Sequence, residues 1–344
     1  MLVVGEYYCN DASCERTRRG EKYPVHYSES VRTISLELKS SPRLLILNEK
    51  TDSVYLVCKD SILVIDGNTD SIIDTITGRA KHFALNSDTN KAYAVLNKGI
   101  AVIDVSSNEI INQLFEEYKF SQVCINQSKN VIYAANVSSD NIYVIEGSFH
   151  KLVSQIKVMK KPSALACNVK ENKLFVTHEN NAIIVIDCST NSVIENIIVP
   201  APASSVNNSC EPYINQKINM MYVLIRSILL DGNGVGHELD SLYVLDSNTK
   251  NLVNVLNPRT GLKAQTFLTS DGHESFSINV ISSDIYLTDV SKKLLHIMNS
   301  QGKVIHELPI SKSCVDIAIN SVKNKLYLAN SGFFKKSLEI KYLT

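Results

Sequence analysis

The chain is built from short apolar runs of about four to six residues, separated by short polar turns. The stretch FALNSDTNKAYAVL, from Phe83 to Leu96, shows the pattern: one apolar run ends at an asparagine, a polar turn follows, and a second run contains an aromatic residue. Runs of β-branched and aromatic residues bounded by Asn, Asp, Ser and Gly are typical of β-strands. No segment keeps the i, i+3, i+4, i+7 spacing of an amphipathic helix for long. The pattern therefore predicts an all-β protein.

This pattern occurs seven times along the chain. In each copy an aromatic residue follows an asparagine by seven positions, in the pairs Asn48 and Tyr55, Asn86 and Tyr93, Asn126 and Tyr133, Asn168 and Phe175, Asn215 and Tyr222, Asn279 and Tyr286, and Asn320 and Tyr327. In four copies an aspartate closes a third run, at Asp66, Asp104, Asp187 and Asp246. A carboxylate there can accept backbone amides of the following turn. We interpret the recurrent Asn and Asp residues as structural rather than catalytic.

Four short strands in units of about 40 residues are typical of a β-propeller, and seven asparagines predict seven blades. The chain after Asn320 has room for only three strands, whereas residues 31 to 38 match the fourth-strand pattern. We therefore expect an N-terminal strand to complete the last blade and to cover its open edge. The predicted organisation is a polar N-terminal extension over residues 1–29 and one propeller domain over residues 30–344.

The repeat resembles that of the YVTN family of seven-bladed propellers. The residues that carry the resemblance are Lys325-Leu-Tyr-Leu-Ala-Asn330, Val131-Ile-Tyr-Ala-Ala-Asn136 and the turn Ser189-Thr-Asn-Ser192. The chain has no tryptophan, which argues against WD repeats, and no double-glycine kelch signature. The resemblance implies the propeller fold and a binding role, because members are known as surface-layer or secreted binding proteins. Relatives of similar architecture include lactonases.

Composition excludes some classes of function. Lysine plus arginine (35) balances aspartate plus glutamate (35), so the formal net charge is zero. A neutral chain is not expected to bind nucleic acid or to be drawn to an anionic membrane surface. No run approaches the roughly 18 apolar residues of a transmembrane segment. Because the N-terminus has no signal-peptide pattern, we expect a cytoplasmic monomer; the alternative is a secreted or surface protein whose N-terminus is incomplete.

Seven of the eight cysteines fall into two groups. We expect buried free thiols at the five that lie in or beside apolar runs, namely Cys58, Cys124, Cys167, Cys188 and Cys314. Cys9 and Cys14 instead lie in a polar segment with C-x4-C spacing. That spacing fits either a short disulfide or half of a metal site completed by His26.

Three insertions interrupt the otherwise even repeat, at residues 200–213, 226–240 and 257–275. In a propeller all three would open on the same face, around blades five and six. Because long loops on a rigid scaffold often carry function, we predict that this loop-rich face binds a protein, glycan or small ligand. Its candidate ligand-binding residues are Arg226, His237, Glu238, His273 and Glu274. The alternative is neutral loop drift, since insertions cost little stability.

Two of these insertions contain the string Gly-His-Glu, at 236–238 and 272–274. Histidines with adjacent carboxylates from neighbouring loops can hold a divalent metal such as zinc. Residues 231–242 also match part of a calcium loop, but Val235 and Leu242 stand where ligands are needed. The candidate metal ligands are Asp231, Asn233, His237, Glu238, Asp271 and His273. The alternative is a glycine-rich, solvated turn.

A further set of polar residues lies four positions before each asparagine, where the innermost strands open at one mouth of the channel. The seven positions are Leu44, His82, Gln122, Ala164, Glu211, Ser275 and Asp316. Gln122 and Ser275 are candidates for binding a small polar ligand there. His82 with Glu211 or Asp316 could serve as acid and base, as in a lactonase-like or metal-assisted hydrolase. We predict a non-catalytic binding scaffold and keep the hydrolase as the alternative.

Overall fold

The apolar runs form seven antiparallel sheets of four strands each, which confirms the predicted all-β, seven-bladed propeller. The computed structural model describes residues 32–178, 182–199, 205–230, 236–256, 275–333 and 335–343, with side chains at all of these except 205–211, 226–230, 236–240, 254 and 256. In each blade the first strand lies innermost, beside the central channel, and the fourth lies outermost.

The strands of the first four blades follow the repeat in order. Blade one contains β2 (Pro42–Asn48), β3 (Ser53–Cys58), β4 (Ser61–Asp66) and β5 (Ser71–Thr77). Blade two contains β6 (His82–Asn86), β7 (Lys91–Val95), β8 (Ile100–Asp104) and β9 (Glu109–Leu114). Blade three contains β10 (Phe120–Asn126), β11 (Val131–Asn136), β12 (Asn141–Glu146) and β13 (Lys151–Lys157). Blade four contains β14 (Pro162–Asn168), β15 (Lys173–His178), β16 (Ala182–Asp187) and β17 (Ser192–Ile198).

The last three blades vary more in strand length. Blade five contains β18 (Ser205–Asn215), β19 (Met220–Leu230), β20 (Gly236–Asp246) and β21 (Leu252–Leu256). Blade six contains β22 (Phe276–Ile278), β23 (Ile285–Asp289), β24 (Leu294–Met298) and β25 (Val304–Pro309). Blade seven contains β26 (Cys314–Asn320), β27 (Lys325–Ser331), β28 (Lys336–Tyr342) and, outermost, β1 (Thr33–Glu37).

The ring is closed as the sequence predicts. Strand β1 pairs antiparallel with β28, with Ile34 opposite Ile340 and Leu36 opposite Leu338. Blade seven therefore joins the first described strand of the chain to the last three. This pairing covers the edge that β28 would otherwise expose.

Packing between neighbouring blades forms the core. Among the described residues, seven apolar clusters occur, one at each boundary between blades. The second and third strands are buried on both faces and therefore read as continuous apolar runs, whereas the outer strands are mostly exposed. Each repeat aromatic is buried in the cluster that faces the following blade; Tyr93, for example, belongs to the cluster between blades two and three.

The repeat asparagine shapes the turn after the innermost strand, and in blades two, three and seven it also links to the next blade. Asn86 is buried, and its Oδ1 accepts the backbone N–H of Asp88 at 3.1 Å. Its Nδ2 donates to Oδ1 of Asn130 in blade three at 3.0 Å. Asn130 has a φ of 50°, a left-handed conformation that asparagine tolerates better than most residues. Asn126 and Asn320 donate in the same way to the following blade. A single asparagine thus fixes a turn and a blade boundary.

The aspartates that close third strands have the structural role expected of them. Oδ1 of Asp66 accepts the N–H groups of Asn68 and Thr69 at 2.6 and 3.1 Å. Asp104, Asp187 and Asp246 repeat this turn in their own blades. These backbone donors lower the pKa of Asp66 and Asp187. The prediction that these carboxylates shape turns is confirmed.

The two ends of the ring differ. We call the end with the first-to-second and third-to-fourth strand turns the turn face, and the end with the second-to-third and blade-to-blade connections the loop face. Each innermost strand runs from the loop face to the turn face. The described residues contain one helical element, the 3-10 turn Gln127–Lys129, and no helix long and apolar enough to cross a membrane.

Candidate functional site: the loop face and the channel mouth

The innermost strands surround a channel with a volume of about 750 Å³. Four of the predicted mouth residues line it, namely His82, Gln122, Ser275 and Asp316, and so does Leu44. Near the turn face the lining changes to Glu49, Lys50, Ser87, Gln127 and Ser321. The sequence therefore brings these polar groups to one channel as predicted.

Three of the mouth residues hold neighbouring blades together. Asp316 of blade seven accepts the backbone N–H of Leu45 in blade one through Oδ2 at 2.7 Å. The Ser275 hydroxyl of blade six donates to the other carboxylate oxygen of Asp316 at 2.7 Å. Gln122 of blade three accepts the N–H of Leu165 in blade four through Oε1. These side chains are thus engaged in the ring itself.

A bulge creates the need for these bonds. The register of the innermost strand shifts near the mouth in blades one, three, four, five and seven. A bulge leaves backbone groups without a partner in its own ladder. The side chain four positions before the asparagine can supply that partner across the boundary, as Asp316 does for Leu45. This explains why polar residues recur at the mouth.

His82 is different from its neighbours in the ring. Its side chain is half-buried in the channel wall, and its Nδ1 has no hydrogen-bond partner among the described residues. Burial lowers the pKa of His82 to about 4, so the imidazole is neutral at pH 7. His82 belongs to blade two and Asp316 to blade seven, with blade one between them. A neutral ring nitrogen in the channel wall is suited to a hydrogen bond with a ligand or water.

Glu211 is described only through its backbone, which lies opposite Leu224 in the pairing of β18 with β19. Ala164 is buried, and its N–H donates to the hydroxyl of Thr177 at 3.2 Å. Thr288 holds Ser275 in the corresponding way in blade six. A buried threonine therefore fixes the mouth residue in two blades, a feature that the sequence analysis missed.

The insertions of blade five are largely strands rather than loops, which corrects the sequence-based expectation. Strands β18, β19 and β20 have 11 residues each, compared with 3–7 in the other blades. Ser205 pairs with Leu229, and Leu230 pairs with Gly236, at the far end of this extension. The apolar residues before Asp231 continue the second strand, and the residues from Gly236 onward form the third strand paired with it. Residues 205–210, 226–230 and 236–240 are called the blade-five extension below.

Three of the predicted ligand-binding residues lie in this extension. Arg226 pairs with Ser209 on one side and with Asp240 on the other. His237 pairs with Leu229, and Glu238 pairs with Ile228. They therefore lie at fixed register positions of a three-stranded sheet, which is a more rigid setting than the predicted loop.

The remaining metal-ligand candidates Asp231, Asn233, Asp271 and His273 lie outside the described residues, and so does the ligand-binding candidate Glu274. So does residue range 1–31, which holds Cys9, Cys14 and His26. Within the described ranges, no group of three or more His, Cys, Asp or Glu side chains is arranged to hold a metal ion. The calcium and zinc hypotheses therefore stay predictions.

A charged cluster at blade six was not predicted. His296 is 8% exposed, and its Nδ1 lies 2.8 Å from Oε1 of Glu307. Oδ2 of the buried Asp289 lies 3.7 Å from Nε2 of His296 and 2.8 Å from the ammonium of Lys292. Burial alone would raise the pKa of Asp289, but hydrogen bonds from His296 and Lys292 outweigh it and lower that pKa. The three strands involved meet only in the folded blade, so spacing along the chain gave no signal.

Comparison with known proteins shows the fold and nothing finer. No protein-family profile matches the chain, and no relative among curated proteins matches it by sequence. Among solved structures it is similar to Kuenenia stuttgartiensis hydrazine synthase, with a TM-score of 0.68 and 12% identity over 88% of this chain and 96% of that one. It is also similar to the β-propeller domain of Myceliophteria thermophila Cps50 (Swd1), with a TM-score of 0.67 and 10% identity over 90% of this chain and 100% of that one. At such low identity these likenesses establish the seven-bladed propeller alone.

Proposed function

We propose that this protein is a non-catalytic interaction scaffold that binds its partner on the loop face, at the blade-five extension. The observation that carries the proposal is the strand length in blade five, where three adjacent strands have 11 residues each. At about 3.3 Å per residue, four to six additional residues extend a strand by roughly 13 to 20 Å. A projecting sheet of this size is convex and suits a macromolecule, because small-molecule sites are usually concave.

The proposed partner class is a protein, with a glycan or small ligand as the alternatives. Propellers are commonly used as interaction scaffolds, and this chain has the propeller fold. The resemblance of the repeats to the YVTN family supports the same role. Recurrent asparagines and aspartates of the repeat, such as Asn86 and Asp66, already form turns and blade boundaries. That leaves the non-repeating extension as the part available for recognition.

The lactonase-like or metal-assisted hydrolase is the less favoured candidate. A general base works best with a pKa near the working pH, whereas the pKa of His82 is lowered to about 4. Asp316 already accepts hydrogen bonds from Leu45 and Ser275 through its two oxygens. The low pKa of His82 and the engaged oxygens of Asp316 fit a structural role at the channel mouth better than a role as an acid–base pair.

The test is to shorten the extension without disturbing the blade. In the shortened variant, residues 227–239 are replaced by Asn-Gly, so that the existing pair Arg226–Asp240 flanks a two-residue hairpin turn. The matched control shortens a connection of blade three on the same loop face. Its four residues between the paired Asn136 and Asn141 are replaced by Asn-Gly. His82→Gln is the third variant. Partners captured by the parent protein are identified by quantitative mass spectrometry and rebound in purified form.

We expect the purified partner to bind the parent, the blade-three control and His82→Gln equally, and the shortened variant at least tenfold more weakly. Equal binding by the shortened variant would refute the role of the extension. The same four proteins are assayed with a γ-lactone and an aryl ester. Turnover by the parent that His82→Gln abolishes would favour the hydrolase instead.

A further inference from the structure

Three cysteines that are far apart in the sequence meet between blades three and four. Side chains alternate along a strand, so Gln122, Cys124 and Asn126 share one side of β10. Gln122 and Asn126 both hydrogen-bond to blade four, to Leu165 and Asn172 respectively. Cys124 lies between them and therefore also points toward blade four.

Strand β14 of blade four contributes Cys167 to the same boundary between blades three and four. Leu165 and Cys167 share the side of β14 that packs in the cluster between blades three and four. Cys188 ends the series Ile184, Ile186 and Cys188 on the same side of blade four. Cys188 and Tyr133 belong to this cluster, and Cys124 and Cys167 pack against it, so the three cysteines share one boundary between blades. These three cysteines are called the thiol cluster.

The members of the thiol cluster differ in accessibility. Cys188 is 8% exposed, whereas Cys124 and Cys167 are only partly buried. Cys58 and Cys314 are buried in other clusters, at the boundaries between blades seven and one and between blades six and seven. Cys124 and Cys167 are therefore the two members of the thiol cluster that keep part of their surface open to solvent.

We propose that Cys124 and Cys167 form a modification site at which a mild oxidant links blades three and four by a disulfide. With hydrogen peroxide as the oxidant, one thiol sulfur attacks the peroxide to give a sulfenic acid and water. The second thiol then displaces water from that sulfur and forms the S–S bond. The two cysteines lose two electrons and two protons, and the peroxide becomes two molecules of water. A low-molecular-weight thiol reverses the reaction by exchange.

The surroundings of the cluster set the pH dependence of this reaction. Hydrogen bonding to Cys124 raises the pKa of Cys167, and hydrogen bonding to Cys167 raises the pKa of Cys188. The thiolate is the reactive form, so linkage is slow at neutral pH and faster in alkaline solution.

The test uses the full chain with Cys9 and Cys14 replaced by serine, which removes the separate C-x4-C pair. Reduced protein is treated with hydrogen peroxide at pH 7 and pH 9, alkylated and digested with trypsin. Mass spectrometry then searches for a disulfide between peptides 120–129 and 161–170, which contain Cys124 and Cys167. Free thiols are counted in denaturant before and after treatment. Cys167→Ser and Cys124→Ser are the test variants, and Cys58→Ser is the matched control.

We expect the linked peptides to appear, faster at pH 9, with a loss of two thiols that a reducing agent restores. The linkage should persist in Cys58→Ser and disappear in both test variants, whose fold is checked by circular dichroism. If no disulfide forms, or if Cys167 links to Cys188 instead, the proposal is wrong. It concerns a different part of the ring from the blade-five extension, so either proposal can fail without the other.

Discussion

Lys325 is the centre of a buried charge network that ties the last blade to the first. Its ammonium lies 3.0 Å from Oδ1 of Asp70 in blade one, and the two residues are 5% and 4% exposed. The hydroxyl of Tyr342 donates to the other oxygen of Asp70, and the ammonium also donates to the carbonyl of Gly67. Burial alone would lower the pKa of Lys325, but Asp70 and Tyr342 outweigh it and raise that pKa. The charge is therefore held where the ring closes.

Replacing Lys325 by methionine keeps the length of the side chain and removes its charge. The Asp70 carboxylate is then left buried without its cation, for which the cost in unfolding free energy is about 3–5 kcal/mol. Lys91 provides the matched control, since it occupies the same repeat position in blade two. Its ammonium lies 2.5 Å from Asp104, but both side chains are 27% exposed. Lys91→Met should therefore cost less than about 1 kcal/mol.

The measurement is guanidinium chloride unfolding of the parent, Lys325→Met, Lys91→Met and the double variant Lys325→Met/Asp70→Asn. We expect the double variant to recover part of the loss, because asparagine leaves no unpaired charge beside the methionine. Equal losses for the two lysine variants would refute the argument from burial. So would a double variant that is no more stable than Lys325→Met.

Two further predictions concern other positions of the ring. His82 has a lower pKa in the folded protein than in the unfolded chain, so its contribution is present above about pH 6.5 and is lost as the pH falls toward 4. Between pH 6.5 and pH 4 the unfolding free energy of His82→Gln should fall by about 3 kcal/mol less than that of the parent. The measurement is urea unfolding at each pH. Equal changes of unfolding free energy with pH in the two proteins would contradict this. Asn126→Ala removes the bonds to Lys129 and Asn172 and should cost about 1–3 kcal/mol, measured as a shift in unfolding midpoint. An unchanged midpoint would show that the blade-boundary bond contributes nothing.

The fold could be predicted because each blade repeats the same local pattern of apolar strands and polar turns. Tyr55 packs in the cluster between blades one and two in the same way as Tyr93 packs in the cluster between blades two and three. Seven copies of one pattern outweigh the uncertainty of any single strand assignment. The closing role of β1 followed from counting strands, since an incomplete last blade needs a partner from the other end.

The site could be predicted only in part. The alternation of side chains placed His82 and Asp316 at one channel, but not the hydrogen bond from Leu45 to Asp316, which depends on a bulge. The glycine-rich string DGNGVG predicted a loop, whereas the residues on both sides of it pair as a long hairpin. Apolar runs of this kind do not reveal from sequence alone how far two strands stay paired.

Function is best sought at the positions that depart from the repeat, because the repeat positions already have structural roles. Tyr342 stands opposite Lys325, where Asp104 stands opposite Lys91, and Lys325 pairs with Asp70 of blade one instead. The lysine at this repeat position thus makes a different ion pair in the blade where a different residue stands opposite it. The same reasoning applies to blade five, where the innermost three strands continue past the length that blade packing requires. Packing with blades four and six explains the residues of blade five that belong to the shared clusters, such as Ile214, Val223 and Leu245. It does not explain the extension beyond the ring, and a partner on the loop face would.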